Sequence, residues 1–151
     1  MSLLLALVIG TVGNIGYGVV HHFALTAAIR LLPHQCEFAH RRAITTFSTL
    51  LVLHVAEIVA LAALNLLLLE HVYREALGDA QAGFEQALYM TGLAFSTLGF
   101  GEIDAKGPFR IILMLQSLLG FMLLTWSATF IYSACQKSWR RAETRQWSDD
   151  N

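Results

Sequence analysis

Ser96-Thr97-Leu98-Gly99-Phe100-Gly101-Glu102 is the stretch on which the reading of this chain turns. It closes an apolar segment, Phe84 to Phe100, that is broken by Gly92, Gly99 and Gly101. The segment is shorter than the about 20 apolar residues a membrane-spanning helix requires. Irregular backbone at membrane depth survives only where protein encloses it. The expectation is a re-entrant segment, with a short helical stretch from Phe84 to Phe95 leading into the glycine-punctuated residues.

Outward from this stretch lie three blocks long enough to span a bilayer. They run from about Leu3 to Leu32, from about Ile44 to Leu69 and from about Phe109 to Cys135. Apolar residues make up 56% of the 151 and charged residues 14%, against roughly 25% charge in an ordinary soluble domain. A soluble globule of this size cannot bury so much apolar surface, and a disordered chain is charged and poor in aromatics. The fold class expected is therefore an all-α membrane protein. The net charge of -1 argues against a nucleic-acid partner. Cys36 and Cys135 stand too far apart in sequence to form a disulfide framework. No nucleophile-and-base set and no nucleotide motif points to an enzyme, and no cofactor is implied. The start, MSLLLALVIG, lacks the positive region of a signal peptide and reads as part of the first span.

Lys and Arg placement sets the expected orientation. Arg30, Arg41 and Arg42 flank the first loop, and Lys137, Arg140, Arg141 and Arg145 follow the third block. The second loop holds Arg74, Lys106 and Arg110 against Glu70, Glu75, Asp79, Glu85, Glu102 and Asp104. The first loop and the tail are thus expected in the cytoplasm, with the N-terminus outside and the re-entrant stretch entering from outside a cell membrane.

STLGFGE resembles the selectivity filter of potassium channels, usually written T-T-V-G-Y-G-D. Upstream, Ala87-Leu88-Tyr89-Met90 stands where such channels often read A-L-W-W. The layout is similar to a two-helix potassium-channel pore, preceded by an additional span. The resemblance implies residues 1–32 as an extra N-terminal helix, 33–43 as a cytoplasmic loop and 44–135 as a pore domain. Within the pore domain come an outer helix at 44–69, an extracellular loop at 70–83, a pore helix at 84–96, a filter at 97–101 and an inner helix at 109–135. Residues 136–151 form a short cytoplasmic tail.

The chemistry has its own logic. A potassium ion entering hydrocarbon must exchange its water shell for other oxygens, and rings of backbone carbonyls from four chains supply them. Glycine tolerates positive φ, which accounts for Gly99 and Gly101. By the resemblance, the ion ligands are the carbonyls of Thr97, Leu98, Gly99 and Phe100 with the Thr97 hydroxyl, while Leu98 and Phe100 wedge the filter against the pore helices. One filter per chain implies a homotetramer in a lipid bilayer, with potassium as the transported ion.

Several residues depart from the family pattern. Phe100 replaces the filter tyrosine and Met90 its tryptophan partner, so both ends of one hydrogen bond are lost together, which is cheaper than stranding one. Glu102 replaces the usual aspartate, with Tyr89 placed to bond it. Leu93 stands where some members carry a glutamate. Two other readings stay open: a non-selective cation channel, and a non-conducting accessory or sensor protein on a channel-like scaffold.

Elsewhere the alternatives are open too. Gly120 is either a hinge of the inner helix or a packing glycine, since glycine costs a helix about 1 kcal/mol relative to alanine. Gln116 and Ser117 are polar enough to face a water-filled cavity. Trp126 reads as an aromatic constriction or a lipid-facing residue. His54 and Glu57 share a helix face at i, i+3 and form either a proton-sensing pair or an interhelical bond to Asn14 or a histidine of the first span. Asn65 reads as helix glue. His34, Cys36, Glu37 and His40 are weighed as a metal cluster against a solvated loop, and the loop is preferred. Thr11-Val12-Gly13 and Gly16-Tyr17-Gly18 imitate filter fragments within the first span. There Gly10, Asn14 and Gly18 offer a small-residue face expected to seat that span on the outer helix.

Overall fold

The computed structural model describes residues 3–31, 39–77, 83–98 and 105–149. The helices are α1 (Leu3–Leu31), α2 (Ala39–His71), α3 (Phe84–Phe95) and α4 (Phe109–Asp149), with a 3-10 turn at Arg74–Leu77 between α2 and α3. The described residues contain no strand. Stretches Leu3–Ala28, Ala43–His71 and Phe109–Ser133 are long and apolar enough to cross a membrane. At 1.5 Å per residue the 12 residues of α3 reach only about 18 Å, short of the about 30 Å hydrocarbon core.

Two helices outrun their expected ends. α2 begins at Ala39, so His40 lies in its first turn and not in a loop. α4 continues through the expected tail to Asp149. No Gly or Pro interrupts residues 121–149, and the Ala, Arg, Glu and Gln of the tail are good helix formers. α3 ends one residue before its expected boundary, with Ser96 as its C-cap.

α1 runs antiparallel to α2 and parallel to α4, as its contacts show. Ala6 packs with Leu69 and Tyr73 from the end of α2 and with Phe109, Ile112 and Leu113 from the start of α4. Further along, the Asn14 side chain donates to the Leu115 carbonyl at 2.6 Å. The small-residue face therefore meets α4, not the outer helix as expected. The physical reason is room: a Cβ on Gly10 would lie 2.6 Å from Leu115 Cδ1, so any larger residue there pushes that leucine tip aside. Gly18 does not take part, since nothing lies within 4 Å of a Cβ built there.

α3 is wedged between α2 and α4. Ala87, Met90, Thr91, Ala94 and Phe95 form its buried face, spaced at helical intervals. Glu85 in its first turn complements the helix dipole. The segment leading into α4 is tied down by Lys106 N–H donating to Ala76 O at 2.7 Å. Gly107, at φ 65°, makes the turn that starts α4, a left-handed conformation that costs glycine little. Tyr73 packs on Phe109 at 5.6 Å between ring centroids, and burial pushes its phenol up from the ordinary tyrosine value.

Large apolar side chains remain exposed along all three long helices, among them Val12, Ile15, Phe23, Ile44, Val52, Met114, Leu118 and Phe121. A monomeric soluble protein does not carry so much continuous apolar surface.

Candidate functional site

The C-terminal end of α3 delivers the chain to the STLGFGE stretch. Ser96 Oγ donates to the Gly92 carbonyl at 2.7 Å, and Ser96 N–H reaches the same oxygen at 3.0 Å. Thr97 N–H then turns back to Ala94 O at 3.1 Å, which places Thr97 at φ 56°. A β-branched residue in the left-handed region is an outlier, and such strain costs of order 1–3 kcal/mol. Positive φ was expected at the glycines, and Thr97, the threonine of the motif, carries it as well. Both Thr97 and Leu98 are exposed, Leu98 by 60%. Among the described residues nothing covers Leu98 enough to make the wedge expected of it. Gly99, Phe100, Gly101 and Glu102 lie outside the described residues, as do His34, Cys36 and Glu37.

Beneath this turn, α3 meets α4 at close range. A Cβ on Gly120 would stand 2.0 Å from the Phe95 carbonyl oxygen. α4 is continuous through Gly120, which packs against the end of α3. Met90 is buried among Leu69, Tyr73 and Phe109. Tyr89 is mostly exposed, and its expected partner Glu102 falls outside the described residues.

A neutral polar cluster joins α2, α3 and α4. Asn65 and Gln116 exchange side-chain bonds at 2.8 and 2.7 Å, and Asn65 Nδ2 lies 2.8 Å from Thr91 Oγ1. Thr91 Oγ1 donates in turn to Ala87 O at 2.6 Å. All three residues are buried. This corrects the expectation that Gln116 faces a water-filled cavity. Its amide is spent on Asn65, since a buried amide must be paired. Ser117 beside it is half-buried.

A second cluster joins α1 to α2. Glu57 accepts from His21 Nδ1 at 2.7 Å through Oε1 and from His54 Nδ1 at 3.0 Å through Oε2. The Tyr17 hydroxyl donates to the Glu57 backbone carbonyl. The two imidazoles stack at 5.7 Å with 8° between their planes. The Trp126 ring meets His21 edge-on at 6.0 Å, and Phe95 stands 6.0 Å from His54. Trp126 is thus a half-exposed cover over the histidines. Of the two bonds weighed for Glu57, the histidine of the first span makes it, while Asn14 is engaged with α4.

Sequence reasoning did not single out His21 from its neighbour His22, and it is His21 that is fully buried. Sequence offset does not find the pair: His21 lies ten residues before the end of α1 at Leu31, whereas Glu57 lies eighteen residues after the start of α2 at Ala39.

No curated protein and no solved structure matches the chain. A family model described as ion channel matches residues 50–137, more than half of the chain. The match takes in most of α2, all of α3, the STLGFGE stretch and α4 as far as Lys137. The chain therefore belongs to this ion channel family, as a three-span, all-helical member in which α1 lies outside the matched region.

Proposed function

We propose that the protein is a potassium-selective channel that conducts passively through a central pore of a homotetramer. The observation that carries the reading is the position of Ser96–Glu102, directly after the short helix α3 and between two apolar helices of an ion channel family member. In this reading α3 is the pore helix, and the carbonyls of Thr97, Leu98, Gly99 and Phe100 with the Thr97 hydroxyl replace the water shell of K+. The left-handed backbone of Thr97 supports it, because strain held at a single residue is a mark of functional sites. The exposure of Leu98 supports the assembly, since its wedge needs a neighbouring chain. So does the uncovered stripe of α4 at Met114, Leu118, Phe121 and Met122, which recurs at helical spacing. The tetramer sits in the cell membrane with the N-terminus outside, as the Lys and Arg asymmetry favours.

The test is the reversal potential of purified protein in a planar bilayer with potassium on one side and sodium on the other. A value near the potassium equilibrium potential is expected, with current abolished in Gly99→Asp while the tetramer mass in detergent persists. A reversal near zero would reject selectivity.

A further inference from the structure

We propose that His21, His54 and Glu57 form a binding site for a divalent transition-metal cation of the zinc class, clamped between α1 and α2. Each of the three offers a ligand atom within 4.8 Å of the others. Two imidazole nitrogens and a carboxylate are a donor set that zinc takes in sites that keep a fourth position open. Tetrahedral ligands at about 2.0–2.1 Å from a zinc ion stand about 3.4 Å apart. The present separations of 2.7 and 3.0 Å need to widen by about 0.7 and 0.4 Å to reach that spacing.

Charge gives an independent argument. Glu57 is buried near the middle of a membrane-length helix, and its described partners are two imidazoles and a phenol. The lysine and arginine side chains described (Arg30, Arg41, Arg74, Lys106 and Arg110) are all exposed, and none pairs with it. Buried charges are paired or coordinate metals. Both carboxylate oxygens lie within hydrogen-bond distance of an imidazole Nδ1, and a divalent cation held among the same atoms meets the carboxylate charge directly. Nε2 of each ring has no partner among the described residues. A histidine that ligates through Nδ1 keeps its proton on that outer nitrogen and remains a neutral ligand.

The scaffold is suited to hold such a site. His54 and Glu57 project from one face of α2 at i, i+3. His21 comes from α1, with Trp126 of α4 against its ring. Two of the ligands lie within the family-matched region and the third outside it, so the cation ties the additional helix to the channel unit. His54 also touches Phe95, the residue that immediately precedes STLGFGE.

The test uses full-length protein without a polyhistidine tag, in detergent, titrated with Co2+ and followed by its visible ligand-field absorption and by the melting temperature. One Co2+ per chain, displaced by Zn2+ and accompanied by a rise in melting temperature, is expected. His21→Ala and Glu57→Gln are each expected to weaken binding by roughly a hundredfold or more, beyond the about 10- to 100-fold that outer partners of a metal are worth. His22→Ala, one residue away and exposed, is expected to bind as the parent does. If His21→Ala fails to fold, His54→Gln carries the same expectation. Folded parent protein that takes up no Co2+, or variants that bind it equally well, would overturn the site. The readout is independent of conduction, so it stands or falls separately from the channel reading.

Discussion

The two polar clusters buried between the helices invite comparison. Asn65, Thr91 and Gln116 are neutral, and their side chains bond one another across three helices of the family-matched unit. His21, His54 and Glu57 centre on a carboxylate, cross from α1 to α2, and leave a nitrogen unpaired on each ring. A closed neutral network locks one arrangement of helices and asks for nothing more. A network with a charge and spare donor atoms retains capacity for an ion. The difference teaches that polarity inside a helical bundle is no single signal: what matters is whether the donors and acceptors balance.

The comparison can be broken first beside the histidine cluster. Phe95 touches His54 on one side and packs on Gly120 on the other, so Gly120→Leu displaces a neighbour of that cluster. With the Phe95 oxygen 2.0 Å from the position of a Cβ, overpacking should exceed the usual 1–3 kcal/mol, about 3 kcal/mol or more. It is read as loss of folded protein in a denaturant titration. Next in size is Asn65→Leu, which strands Gln116 and should cost about 1–3 kcal/mol. The double variant Asn65→Leu/Gln116→Leu should cost less than the sum of the singles, because no amide is then left unpaired. Additive costs would show that the pair does not act as one unit.

Glu57→Gln sharpens the contrast. It keeps a hydrogen-bonding side chain between the two imidazoles, so metal-free stability should move by less than about 1 kcal/mol, the usual range for polar contacts in membrane helices. The metal-dependent rise in melting temperature should disappear. A cost as large as that of Asn65→Leu would make the histidine cluster a structural bond like its neighbour. Smallest is Tyr73→Phe. The Tyr73 hydroxyl is buried with no partner among the described residues, so its removal should change stability by no more than about 0.5 kcal/mol, in either direction.

Sequence alone carried the arrangement of long and short helices well, because it depends on apolar runs and glycines that are read locally. Three long apolar runs became α1, α2 and α4, and the glycine-broken run became α3. The helix ends were less legible. Charge rather than a breaker marked the expected end near Cys135, and charged residues such as Arg and Glu sustain a helix well. Partner choice was the least legible of all. Gly10 and Asn14 announce a contact face but not which helix meets it. That choice depends on Leu115, a hundred residues away in sequence, fitting the gap at Gly10. Gln116 looked like a pore-lining residue because its partners, Asn65 and Thr91, are assembled only by the packing of three helices. His54 and Glu57 were visible as a pair on one helix, whereas His21 required the height at which α1 passes α2.

The unbroken course of α4 gives the molecule a lever. Gly120 is pinned against Phe95, and the helix runs on from there to Asp149 without a proline or glycine. At 1.5 Å per residue that arm is about 44 Å long, so a tilt of about 5° at its fulcrum sweeps the far end through about 4 Å. The relation also runs in reverse: a modest push on the distal arm arrives beside Phe95 with greatly multiplied force and small travel. Mechanical input at the far end of α4 thus has a stiff route to Phe95, the residue that immediately precedes STLGFGE.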